Sequence, residues 1–226
     1  MTITYYGHSS IGVEINGVSF LFDPFISPNE AASAINIEKI PADYILISHG
    51  HQDHLYDAEA IAKRTGAPII SNYEIVTWYE KKELKGVPMN YGGKIRYDWG
   101  SVKYVHAIHS SSFADGSYAG NPGGYVIEMG DHCFYFAGDT GLTMDMKLIP
   151  LTCPKLDFAV LPIGDLFTMG VEEAIHASDF IECDKIIGCH YDTFELIKID
   201  QAAAIKAFAD NGKELHLLKI GASIGL

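Results

Sequence analysis

The chain has 226 residues, 48% of them hydrophobic and 20% charged, ordinary globular usage that excludes a disordered, collagenous or coiled-coil protein. Sixteen Lys and Arg against 29 Asp and Glu leave a formal net charge of −13, a poor surface for nucleic acid or an anionic membrane. No Lys or Arg precedes Lys39 and no apolar run approaches the roughly 20 residues of a membrane span, so the reading is a cytoplasmic protein without signal peptide or transmembrane helix.

A first strand ends at Tyr6-Gly-His8-Ser9, and the alternation of Ser10 to Asp23 around Asn16-Gly17 predicts a β-hairpin with a tight primed turn. Tyr44–Ser48 reads as a short strand running into a histidine loop, with a helix over Leu55–Thr65 that stops at Gly66-Ala67-Pro68. A strand at Ile69–Ser71 and an amphipathic helix over Tyr73–Leu84 follow, the helix ending near Gly86 and Pro88. Between Gly92 and Phe136 the texture turns aromatic and β-branched, predicting strands over Ile95–Asp98, Ser101–Ile108, Gly124–Met129 and Cys133–Phe136. Strand and helix then alternate: strand Phe158–Ile163, helix Val171–Ile181, strand Lys185–Cys189, helix Asp200–Asp210 and strand Glu214–Ile220. No linker rich in Pro, Gly or Ser divides the halves. The expectation is one α/β domain over residues 1–226, two sheets face to face with helices on the outer faces.

The strongest local signal is Ser48-His49-Gly50-His51-Gln52-Asp53-His54. Imidazole nitrogens and a carboxylate suit zinc and similar divalent ions, and four such ligands in one loop cannot all reach one ion without strain. A metal loop that splits its ligands between two ions is the expectation, with Gly50 letting the backbone bend between the first two histidines. The bland alternative, a polar loop capped by Asp53, would rarely hold three histidines. His109, Asp139 in Gly138-Asp-Thr-Gly141, and His190 each follow an apolar strand. His8 and Asp165 are secondary polar candidates in the same setting, able to contact substrate, protonate a leaving group or orient a ligand. His106, His132, His176 and His216 read as structural. The four cysteines, Cys133, Cys153, Cys183 and Cys189, lack C-x-x-C spacing and read as small reduced hydrophobes. Phe113 to Gly124, rich in glycine, reads as a mobile lid.

The loop His-x-His-x-Asp-His, the strand-end His109, the Gly-Asp-Thr-Gly aspartate and the strand-end His190 together resemble the pattern of the metallo-β-lactamase superfamily. Tyr6-Gly-His-Ser9, Pro162-Ile-Gly-Asp165 with Phe167-Thr-Met-Gly170, and His190-Tyr-Asp-Thr-Phe194 are similar to its branch of small metal-dependent hydrolases, a branch similar to the lactonase that opens ascorbate phosphate. The resemblance implies a four-layer αββα sandwich. It implies that His49, His51 and His109 hold one metal, that Asp53, His54 and His190 hold a second, and that Asp139 bridges both. The cofactors implied are two divalent ions, zinc first, with manganese, iron and nickel also compatible. Asp139 stands where one group of true β-lactamases has a Cys ligand, and His51 where the di-iron redox members have Glu, so neither a thiolate lactamase site nor redox iron chemistry is favoured.

The ligand set implies hydrolysis by a hydroxide shared between two cations, with Asp53 both a ligand and an acceptor that aims it. The substrate expected is a small molecule, a lactone or other carboxylic ester first and a phosphodiester second. A non-catalytic metal-binding or sensor protein on the same fold is the alternative class. No nucleic-acid or membrane partner is expected, and a homo-oligomer is left open.

Overall fold

The computed structural model describes all residues, Met1–Leu226. They form two compact units: Met1–Asn90 with Ser110–Pro122 and Lys219–Leu226, and Tyr91–His109 with Gly123–Leu218.

The first unit holds a mixed seven-stranded sheet. Its strands are β1 (Thr2–Gly7), β2 (Ser10–Ile15), β3 (Val18–Phe22), β4 (Tyr44–Leu46), β5 (Ile69–Asn72), β6 (Gly86–Met89) and a late β14 (Ser223–Gly225), ordered β14-β1-β2-β3-β4-β5-β6. From β14 to β3 the neighbours are antiparallel, and from β3 to β6 they are parallel. The β2–β3 hairpin closes through Asn16 and Gly17, both at positive φ, as a two-residue primed turn requires. Every residue of β5 is buried, as expected of a parallel strand covered on both faces. β1 alternates instead between buried and more exposed positions.

The helix expected over Leu55–Thr65 is broken into α1 (Gln52–Leu55) and α2 (Ala58–Thr65). The cause is Asp57, whose buried carboxylate accepts the N–H groups of Ile26 and Ser27 at 2.6 and 2.8 Å and ties the helix junction to the loop after β3. α2 ends at Gly66, left-handed at φ 75, whose N–H returns to Ala62 O. α3 (Tyr73–Glu80) starts at Asn72, which caps the Ile75 N–H. It stops short of the expected Leu84. The residues beyond form β6, a strand unread in the sequence because its Gly-Val-Pro-Met suits only a sheet edge.

The second unit repeats the plan. β7 (Lys94–Tyr97), β8 (Gly100–His106), β9 (Gly123–Met129) and β10 (His132–Phe136) form an antiparallel meander. β11 (Phe158–Pro162), β12 (Lys185–Cys189) and β13 (Glu214–His216) continue the sheet in parallel from β10. α4 (Leu148–Thr152), α5 (Val171–Phe180) and α6 (Gln201–Asp210) belong to this unit, α6 capped by Asp200, whose side chain accepts the Ala203 N–H. Its core joins Val126, Tyr135, Ala159 and Leu161 to Ala174, Ala177 and Phe208 of the helices. The last strand was expected to run from Glu214 to Ile220, but it ends at His216, and Ser223–Gly225 pairs with β1 in the other sheet. No helix of the chain is long and apolar enough to cross a membrane.

In each unit the parallel strands deliver their carboxyl ends to one edge of the sheet. Asp23 follows β3 and His49 follows β4. His8 follows β1, which runs in the same direction because β2 is antiparallel to both β1 and β3. In the second unit Asp139 follows β10, Asp165 follows β11 and His190 follows β12. His109 follows β8, aligned with β10 because β9 is antiparallel to both. Open α/β sheets bind ligands at that edge.

Candidate metal centre

In the first unit the histidine loop converges as its composition predicts. His49 and His54 are fully buried and His51 and Asp53 partly so. His49 Nε2 lies 2.9 Å from His51 Nδ1. The ligand atoms of His8, Asp53 and His54 lie within 4.8 Å of one another, with His8 Nε2 3.1 Å and His54 Nε2 4.0 Å from Asp53 Oδ2. Four donors set tetrahedrally about 2.1 Å from an ion would sit about 3.4 Å apart. The observed separations bracket that value, so these side chains fit divalent-ion ligation.

Gly50 lies in a bend of the backbone, as expected, and close approach is a second reason for glycine there. It is absent from the positive-φ residues, and a Cβ there would fall 2.1 Å from Ala119 Cβ and 3.2 Å from Ser112 O. Its N–H donates to Ser111 Oγ, which donates onward to Ala119 O. The segment expected to be a lid is thus fastened to the loop, and Phe113 stacks on Trp78 at 4.2 Å. Asn72 Nδ2 holds it further through Ala119 O and Asn121 O.

Asp23, which sequence reasoning did not select, organises this half. It is fully buried and held at φ 42. Oδ1 accepts the Ser48 N–H at 2.7 Å, while Oδ2 accepts the Ser48 hydroxyl at 2.6 Å and faces His54 Nδ1 at 2.8 Å. The Ser48 hydroxyl also meets His49 Nδ1 at 2.9 Å. A carboxylate only accepts, so His54 carries its proton on Nδ1. Ser48, having given its proton to Asp23, accepts one from His49 Nδ1. Both imidazoles then present a bare Nε2, the form a metal needs. Burial pushes the Asp23 carboxyl above its ordinary range, and His54 and the Ser48 donors pull it back. The available signal was Leu21-Phe-Asp23-Pro24, an apolar strand ending in Asp like the one before Asp139.

In the second unit Asp139 Oδ2 lies 3.0 Å from His190 Nε2 and 3.6 Å from His109 Nε2. One carboxylate oxygen thus faces two imidazoles, the arrangement a bridging ligand needs. Asp139 and His190 are buried and His109 is partly so. Asp165 does not join them: it is exposed, at φ 61, and its Oδ1 accepts the N–H of Leu166 beside it. Four of these strand-end residues, His8, Asp23, Asp165 and His190, hold left-handed backbones, a strain that recurs at functional sites. The other four histidines lie apart from these clusters. His106 packs on Tyr91 at 4.1 Å, His132 faces Asp157, His216 faces Glu214, and His176 sits exposed on α5. None of the four cysteines forms a disulfide.

Comparison with known proteins agrees with this chemistry. Residues 2–190 match the model of the Beta-lactamase superfamily domain. A UPF0173 metal-dependent hydrolase of Flavobacterium johnsoniae is 58% identical over 226 residues, the whole of both chains. Another from Christiangramia forsetii is 58% identical over 227 residues, again the whole of both. The solved structure of Igni18, a metallo hydrolase from the hyperthermophilic archaeon Ignicoccus hospitalis, shares 31% identity at a TM-score of 0.90, covering 99% of this chain and 97% of that one. The class is therefore a β-lactamase-superfamily protein, with the αββα fold that the resemblance implied. Within it, the chain belongs to the UPF0173 metal-dependent hydrolase family.

Proposed function

We propose that the chain works as one catalytic domain whose seven predicted ligands form a binuclear centre. His49, His51 and His109 serve one ion, Asp53, His54 and His190 the other, and Asp139 both, with zinc the first expectation. The observation that carries this reading is the spacing of donor atoms within each unit, between 2.9 and 4.0 Å for the pairs around His51, Asp53 and Asp139. Bound there, the ions would supply Lewis acidity and a shared hydroxide ionised near neutral pH.

The side chains do the rest. Asp53 aims the nucleophile and accepts its proton. His8, 3.1 Å from that carboxylate, steadies it and is the nearest group able to return a proton to the leaving oxygen. Asp23 and Ser48 hold His49 and His54 in the ligating tautomer. Asp165 contributes by shaping its turn, having turned its carboxylate to the Leu166 amide.

The substrate is a small cytoplasmic molecule with a hydrolysable carbonyl or phosphoryl centre, a lactone or carboxylic ester before a phosphodiester. The charge of −13 supports a small substrate over a long polyanion. Panels of lactones, esters and phosphodiesters assayed before chelation, after it and after zinc is restored test the reading. Activity on at least one class that vanishes with chelator and returns with zinc is expected. Activity indifferent to chelator refutes it.

A further inference from the structure

His109 and Asp139 leave the second sheet from strands that are not neighbours, since β9 lies between β8 and β10. Strands two places apart are separated by about 9.6 Å, yet the two side chains approach to 3.6 Å. The imidazole and carboxylate reach across that gap, provided that the loops carrying them are held side by side past the start of β9, where Gly123 faces His106. That task falls to Thr140, which is fully buried.

Its Oγ1 accepts the Ile108 N–H at 2.9 Å, and the neighbouring Gly141 N–H donates to Ile108 O at 3.0 Å. The two segments are thus paired as a sheet would pair them, except that a hydroxyl stands where a backbone carbonyl would. Thr140's own carbonyl is already committed, accepting the Met169 N–H at 2.9 Å, while Met169 O takes the Asp165 N–H. The hydroxyl completes its bonding by donating to Gly141 O at 2.7 Å. One residue therefore ties the loops after β8, β10 and β11.

We propose that Thr140 is a positioning residue for the metal centre: its hydroxyl, by taking the Ile108 N–H, sets His109 and Asp139 at ligating distance. The inference rests on reading those two side chains as metal ligands. Thr140→Val keeps shape and β-branching and removes only the hydroxyl, while Thr140→Ser keeps the hydroxyl and removes the methyl. Zinc affinity is read on the full-length protein by competition with a chromophoric chelator, and the ligand field from the visible spectrum of the cobalt-substituted protein.

The Val variant should bind zinc about 10–100-fold more weakly, the range for loss of a group that orients a ligand, with an altered cobalt spectrum. The Ser variant should keep wild-type affinity and spectrum. If Val does not fold, Thr140→Ala replaces it in the comparison with Ser. A folded Val variant with wild-type affinity and spectrum overturns the proposal, as does equal loss in Val and Ser, which would assign the effect to methyl packing. His109→Ala run in parallel separates the failures. If it weakens binding and Val does not, only the role of Thr140 falls; if it too binds as wild type, the ligand assignment falls with it.

Discussion

Asp23→Asn is the most informative single substitution. The carboxylate receives the Ser48 N–H and O–H and faces His54 Nδ1, all within 2.8 Å. Asparagine keeps one oxygen and places an NH2 group in the other position. With NH2 in place of Oδ2, His54 must shift its proton to Nε2 to accept from the amide. Ser48, now also an acceptor from the amide, turns its hydrogen to His49 Nδ1, and His49 shifts its proton too. Both ligand nitrogens are then blocked. With NH2 in place of Oδ1, the amide faces the Ser48 N–H and a buried donor is left opposed to a donor, at a cost of about 1–3 kcal/mol.

The first outcome predicts zinc affinity lowered about 10–100-fold, or about 1.4–2.7 kcal/mol in binding; the second keeps both tautomers and shows only as lost stability. The metal-free protein should melt lower by roughly 2–4 °C per kcal/mol lost at this chain length, and still fold. Chelator competition measures the affinity, and long-range nitrogen–proton NMR of the imidazoles measures the tautomers. Ser48→Ala should disturb His49 alone. Wild-type zinc affinity with His54 still protonated on Nδ1 and an unchanged melting temperature would refute the role given to Asp23.

Three other outcomes are expected. Gly50→Ala drives a methyl to 2.1 Å from Ala119 Cβ, so the loop must move; zinc content of the purified variant should fall well below wild type, and a crystal structure with an undisplaced loop would contradict the packing argument. Burial raises the thiol of Cys133 to about 12 and that of Cys183 to about 11, leaving roughly one Cys133 thiolate in ten thousand at pH 8. Iodoacetamide on the native protein should therefore modify the partly exposed Cys153 first, with Cys133 and Cys183 reacting only after unfolding, as mapped by peptide mass spectrometry. The same groups set a sign on stability. The folded state keeps the protons that an unfolded chain releases above about pH 9, so this contribution is complete below pH 9 and is lost as pH rises toward 12. A melting temperature that rises between pH 9 and 11 would count against it.

The histidine loop was legible because three imidazoles and a carboxylate in six residues need no tertiary information to be noticed. His109, Asp139 and His190 were legible more weakly, each as a polar residue closing an apolar strand, and it was their order along the chain that gave them meaning. Asp23 carried the same strand-end signature but no neighbouring motif, and its importance lies in bonds to Ser48 and His54, 25 and 31 residues away, which no local pattern encodes. The split of the 55–65 helix escaped for the same reason: Asp57 is an ordinary helical residue until the loop at Ile26 offers it two N–H groups. β14 escaped because three residues with a glycine gain strand character only from β1. The bend at Gly50 was legible from its place between two histidines, but crowding by Ala119 is visible only in three dimensions.

The central claim is that these seven side chains hold two ions together. Elemental analysis of full-length protein loaded with zinc and freed of excess tests it directly, alongside His51→Ala, His54→Ala and Asp139→Ala. Two equivalents in the wild type are predicted, falling to about one when His51 or His54 is removed and below one when Asp139 is removed. One equivalent or none in the wild type, or two retained without Asp139, would contradict the account.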